Sequence, residues 1–297
     1  MPSAARRAVT LRVRLWGVRG SIPSPGPRTV RYGGNTACVE VRGPDGHLLV
    51  LDAGTGIREL GHRVARDAPE GITGDILLTH AHWDHIQGLP FFAPFFTAGN
   101  RFTIWGSRTL QPRLDHVLRD QMAPEVFPVR FDQLSAAVTV REVDDAGQTL
   151  GGCVVHAFPV RHPGGALGFR VAACNTPAAS LVYIPDNELN PDIVYPAPAD
   201  WRARLVDFAR DAAVLVHDAM YTAEEYPAHR GWGHSTYDDA VALAMEARVR
   251  TLVLFHHKPE RTDAELDRLL AHCRQLARAR GAPLEILPAT EGMELAI

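Results

Sequence analysis

Short apolar runs rich in β-branched residues recur along the chain, at 11–18, 37–41, 47–51, 75–79, 101–105, 138–142, 153–159, 166–171, 180–184, 213–216 and 251–255. Each is closed by turn-forming residues, so each reads as a strand. Two segments carry helical spacing instead. Residues 235–247 open with Ser235 or Thr236 as N-cap and Asp238 or Asp239 in the first turn. Residues 262–280 open with Thr-Asp-Ala-Glu, a capping box, and Gly281 supplies the stop. Strands outnumber helices, hairpins come first and βα units later. That order predicts an α/β protein with two mixed sheets packed face to face and helices outside.

Composition narrows the class. The chain has 297 residues, 46% of them apolar and 22% charged, with a net charge of −3. Both signs are mixed along the chain, and nearly all basic residues are arginine, Lys258 being the one lysine. That balance argues against a protein built mainly to hold duplex nucleic acid, and leaves room for a local basic patch. No repeat or low-complexity tract divides the chain, so one domain over 1–297 is expected. Cys38, Cys153, Cys174 and Cys273 stand far apart with no Cys-x-x-Cys pair, which fits a reducing compartment. Arg12, Arg14 and Arg19 interrupt any N-terminal apolar stretch, and no run is long enough to span a bilayer. A cytoplasmic protein is the expectation, and a homodimer stays open.

The polar residues that close the strands carry the chemistry. The run at 75–79 leads into His80, that at 153–159 is followed by His162, and that at 180–184 by Asp186. The run at 213–216 ends on His217 and Asp218, that at 251–255 on His256 and His257, and that at 47–51 on Asp52. Strand carboxyl ends form the ligand-binding rim of α/β sheets. Neutral imidazole and carboxylate are ligands for zinc and related ions. The densest cluster is Thr79-His80-Ala81-His82-Trp83-Asp84-His85, at a strand-to-helix junction. There His80 and His82 point to one metal, and Asp84 and His85 to a second.

His-x-His-x-Asp-His resembles the signature of metallo-β-lactamase-fold hydrolases. The stretch THAHWDHIQGLP at 79–90 and the segment HPGGALGFR at 162–170 look like the ribonuclease Z and cyclic-nucleotide phosphodiesterase branch. Gly233-His234-Ser235-Thr236, His217-Asp218-Ala219-Met220 and Phe255-His256-His257-Lys258-Pro259 are similar to further ribonuclease Z segments, the second more weakly. The resemblance implies an αβ/βα sandwich with metals at the mouth between the sheets. It implies two divalent ions, zinc first, with manganese or iron as alternatives. His80, His82 and His162 would hold one, Asp84, His85 and His256 the other, and Asp186 would bridge them. His256 is favoured over His257 on motif register. Asp52 is implied to orient a metal histidine from behind.

The same resemblance implies His234 as general acid, oriented by Asp218, with Asp84 counted in the catalytic set as well. The stretch 163–185 is short and contains no long Gly/Pro-rich arm, and Asp218 stands where the ribonuclease Z segment has glutamate. Both departures favour a small phosphodiester, such as a cyclic nucleotide, over precursor tRNA. The alternatives are a ribonuclease Z-like endonuclease, a thioester or glyoxalase-like hydrolase, and a non-catalytic metal- or nucleotide-binding protein. Residues 90–134 are expected as a cap inserted over the site; Phe91, Phe92, Phe95, Phe96, Met122, Phe127 and Phe131 within it read first as core packing, with an apolar wall for a base or acyl group as the alternative. Tyr221 and Trp232 flank His234, and for them packing and the stacking of a base both stay open.

Overall fold

Alternation decides which side of each strand is buried. In RVRLWG, Val13 and Leu15 are buried while Arg12 faces solvent, the period of two that one covered face requires. The computed structural model describes residues 11–68, 70–107, 113–143, 146–190, 195 and 197–297. The first strands are β1 (Arg12–Gly17), β2 (Cys38–Arg42), β3 (Leu48–Leu51), β4 (Thr73–Leu77), β5 (Arg101–Gly106) and β6 (Ala137–Glu142). The second set is β7 (Gln148–Leu150), β8 (Cys153–Val160), β9 (Ala166–Ala173), β10 (Thr176–Ile184), β11 (Val214–Asp218), β12 (Thr251–Phe255) and β13 (Glu285–Pro288), and β14 (Glu294–Ala296) closes the chain.

The strands form two seven-stranded sheets, ordered β14-β1-β2-β3-β4-β5-β6 and β13-β12-β11-β10-β9-β8-β7. Both are mixed. In the first, β3 through β6 run parallel; in the second, β10 through β13 do. Leu15, Val39, Leu51 and Leu77 from one sheet and Phe169, Leu181, Val216 and Phe255 from the other share one apolar interior. This is the face-to-face sandwich expected from the strand order.

The α-helices of the described residues are α1 (Ile57–Asp67), α2 (Trp83–Ile86), α3 (Leu114–Asp120), α4 (Trp201–Ala209), α5 (Tyr237–Glu246) and α6 (Asp263–Ala279); all but the short α2, which carries Asp84 and His85, cover the outer faces. α1 and α3 close the first sheet; α4, α5 and α6 close the second. The two helices expected from sequence start as their caps dictate. Thr236 accepts from the Asp239 N–H, and Thr262 and Glu265 form a full capping box.

The segment 90–134 carries β5 into the interior of the first sheet. Phe92, Phe95, Met122 and Phe131 pack with α1 in the outer core, the packing role read first for most of these apolar side chains. Phe91 and Phe96 remain exposed. Residues 108–112 of that segment lie outside the described residues. All four cysteines are free thiols, and among the described residues no helix is long and apolar enough to cross a membrane.

Candidate metal centre

The carboxyl ends of the parallel strands of both sheets meet at one rim. β3 delivers Asp52, β4 leads to His80, β10 to Asp186, β11 ends on Asp218 and β12 leads to His256. Holding a side chain there bends the backbone. Among the described residues, five non-glycine residues have positive φ, and three of them, Ser21, Asp52 and His256, belong to this rim. Such strain, of order 1–3 kcal/mol each, concentrates at functional sites.

The ten residues expected from sequence come together, all of them buried except His82, which opens to solvent. His80, His82 and His162 form one trio of donor atoms, and Asp84, His85 and His256 another, each within 4.8 Å of one another. The His162 Nε2 lies 2.9 Å from the His82 Nδ1. Asp186 stands between the trios. Its Oδ1 is 3.1 Å from the His85 Nε2 and 3.2 Å from the His256 Nε2. Its Oδ2 is 3.6 Å from the His162 Nε2 and 3.7 Å from the His80 Nε2. The Asp84 Oδ2 completes the second trio at 3.0 Å from His256 and 3.2 Å from His85, and it accepts the Ser21 N–H at 2.7 Å.

Hydrogen bonds behind the rim fix which nitrogen faces inward. His85 Nδ1 donates to the Asp52 carboxylate at 2.8 Å, and His162 Nδ1 donates to the Gly233 carbonyl at 3.0 Å. In each ring Nε2 is thereby left aimed into the site, where a proton or a metal ion can take it. Asp52 is wholly buried and also accepts from the Thr79 N–H and hydroxyl and the Tyr183 hydroxyl. His257 turns away: its Nε2 donates to the Ala289 carbonyl at 2.8 Å, whereas His256 faces Asp84 and Asp186. Gly20 makes room for that ring, since a Cβ there would stand 2.4 Å from the His256 Nδ1.

A cation fits this arrangement. The buried His80 Nε2, His85 Nε2 and Asp186 Oδ1 make no well-formed hydrogen bond, though buried polar atoms ordinarily do. Burial pushes His80 well below the ordinary imidazole range and His162 down to about 4, so both stand as neutral ligands. Against burial, the carboxylates of Asp186, Asp84 and Asp52 raise His85 well above that range. The pocket demands positive charge, a proton or a metal ion, and the two compete. Beside the trios, the Asp218 Oδ2 accepts from His234 Nδ1 at 2.8 Å. The His234 ring stacks 4.9 Å from that of His256 and meets that of His162 edge-on at 5.4 Å.

The structure gives roles to residues for which the sequence suggested none. Thr79 and Tyr183 hold Asp52, and Asn187 and His217 pack behind Asp218, with the Asn187 N–H donating to its carboxylate. Thr79, Asn187 and His217 each adjoin a rim residue in sequence, whereas Tyr183 lies three residues before Asp186. Tyr221, expected as a flanking aromatic, is buried and stacks on His229 at 4.4 Å. Trp232 is 60% exposed and meets His229 edge-on.

Comparison with known proteins agrees with the geometry. A family model described as "Beta-lactamase superfamily domain" matches residues 47–257. A ribonuclease Z of Thermoplasma acidophilum is 24% identical over 295 residues, covering 87% of this chain and 90% of that protein. Among solved structures, yeast PDE1 superposes with a TM-score of 0.70 at 18% identity, over 97% of this chain and 100% of that one. A diphosphatase of the PhnP family gives 0.65 at 22% identity, over 97% and 98%. With the family model covering most of its length, the chain belongs to the beta-lactamase superfamily, as a metal-dependent hydrolase of the metallo-β-lactamase fold.

Proposed function

We propose that the chain is a binuclear phosphodiesterase acting on a small phosphodiester such as a cyclic nucleotide. His80, His82 and His162 would hold one divalent ion, Asp84, His85 and His256 a second, and Asp186, with one oxygen toward each trio, would join them. Imidazole with carboxylate suits zinc first, then manganese or iron. When bound, such ions supply Lewis-acid charge to the phosphoryl oxygens and lower the pKa of a water.

The observation that carries the phosphodiester reading is the Asp218–His234 pair. Burial works against the imidazolium, but the Asp218 carboxylate lifts His234 to about 9. With Nδ1 committed to Asp218, Nε2 is the nitrogen left to hold and pass a proton. One donor atom of His234 lies within 4.8 Å of those of His162 and Asp186, which sets the ring beside the proposed ions. An alkoxide leaving a phosphodiester is strongly basic and needs that proton; a thiolate hardly does. A thioester hydrolase would have little use for the pair.

The test is a turnover panel on metal-loaded protein: a bis-p-nitrophenyl diester, an alkyl p-nitrophenyl diester, 3′,5′- and 2′,3′-cyclic nucleotides, precursor tRNA and a thioester. The cyclic nucleotides are expected to turn over fastest. Turnover of the thioester alone would overturn the reading. The ribonuclease Z relatives support a second reading, RNA cleavage, and selective cleavage of precursor tRNA would decide for it.

A further inference from the structure

Glu188 is wholly buried, and among the described residues four neutral donors surround its carboxylate. Oε1 accepts from the Tyr226 hydroxyl and from the Gly231 N–H at 2.8 Å. Oε2 accepts from the Gly233 N–H at 2.7 Å and from the Tyr195 hydroxyl at 3.1 Å. No cation pairs with the Glu188 carboxyl among the described residues, and a carboxyl buried in that way is costly to keep. What it secures is the backbone of residues 231–233, which has positive φ at both glycines. From that short loop, the Gly233 carbonyl accepts the His162 Nδ1–H, and the next residue is His234. The Glu188 N–H donates to the Arg161 carbonyl at 2.8 Å, one residue before His162, and Asp186 lies two residues upstream.

We propose that Glu188 is a positioning residue: by clamping the Gly231 and Gly233 amides it sets the orienting acceptor of His162 and the place of His234. One carboxylate thereby couples the first histidine trio to the proton donor, though it touches neither metal nor substrate. The His234 half rests on the phosphodiesterase reading; the His162 half rests on ion affinity and is independent of it.

Glu188→Gln tests the clamp because an amide offers one acceptor oxygen and one donor nitrogen. Whichever way it is turned, its NH₂ opposes either the Gly231 or the Gly233 N–H, and one clamp bond is lost. Glu188→Asp is the second variant. It keeps the charge, shortens the reach by one methylene and serves where the first does not fold. Folded protein is recognised by core amides of β11 that exchange as slowly as in wild type.

Three readouts apply: hydrogen exchange at residues 231 and 233, zinc affinity by chelator competition, and the rate ratio between an alkyl-leaving and a p-nitrophenolate-leaving diester. The expected result is about tenfold faster exchange at the loop and one zinc bound about tenfold more weakly, the lower end of what a lost orienting partner costs. The rate ratio should also fall toward that of His234→Ala. Wild-type zinc affinity and an unchanged ratio in a folded variant would overturn the proposal, whatever the loop exchange. A ratio insensitive to His234→Ala itself would sink the acid reading instead, and zinc affinity alone would then decide the role of Glu188.

Discussion

Asp52 receives the His85 ring, the Thr79 amide and hydroxyl and the Tyr183 hydroxyl on two oxygens in a site closed to water. Asp52→Ala leaves those donors buried and unpaired. A loss of about 3 kcal/mol in denaturant unfolding is expected, the low end for breaking a buried charged network. Zinc at the second trio should weaken about 10- to 100-fold. His234→Ala is expected to slow an alkyl-leaving diester by about 10²–10⁴-fold and a p-nitrophenolate-leaving one far less. Equal losses on both would make His234 a binding residue. At this scale the sequence was most legible where ligands crowd into His80–His85, because one turn must aim them together. Asp186, His162 and His256 were legible as strand-end residues, but their sorting into two trios and a bridge came only through resemblance, since nothing local to each says which of them share an ion. Glu188 was invisible: an acidic residue in a loop ordinarily faces water, and only the fold reveals the four donors around it.

Among the elements, the loop before α5 is held by geometry rather than by side-chain area. Gly233 has a φ of +87°, and a Cβ there would stand 2.2 Å from the His162 Nδ1. Gly233→Ala is expected to displace that ring and lower zinc affinity, with a small effect on thermal stability; unchanged affinity would contradict the packing. The start of α6 is tied to the loop at 222–230 by charge. Partial burial raises the Glu225 carboxyl, but Arg261 and the Thr222 amide outweigh it and hold it at about 2. In the unfolded chain a glutamate titrates near ~4.3. Below that pH the unfolded state binds the extra proton, so the contribution is complete above ~4.3 and is lost as pH falls toward about 2. Glu225→Gln should therefore flatten the acid limb of the stability curve in that window, as read by urea unfolding at a series of pH values. The long apolar runs and the capped helices were legible because their patterns are local. The edge strands β7 and β14 were not, at three residues each; they pair only because a neighbouring strand offers free backbone. For residues 90–134 a cap and an outer core stayed alternatives for a related reason: an aromatic-rich stretch has no periodicity that separates the two.

On the scale of the molecule, the two sheets bring opposite halves of the chain to one rim, and ions held there would join them. His80 to His85 come from the first sheet, and His162, Asp186 and His256 from the second. Stripping the ions should loosen that mouth. A ligand at 100 times its Kd stabilises the folded state by about 2.7 kcal/mol, so chelation is expected to lower the melting temperature by several degrees, reversibly on adding zinc back. A melting temperature indifferent to chelation would mean that the trios need no ion to hold the sheets together. The sandwich itself was legible from the order of hairpins and βα units. The pairing of its sheets was not, because register between faces is written in no single segment.

The central claim is two ions sharing Asp186, and elemental analysis of zinc-loaded protein tests it most directly. Wild type is expected to hold two zinc ions per chain. Asp186→Ala should fold, judged by circular dichroism, but hold fewer than two and show no diester turnover. One ion per chain in wild type, unchanged on loading, or two retained by Asp186→Ala, would contradict it.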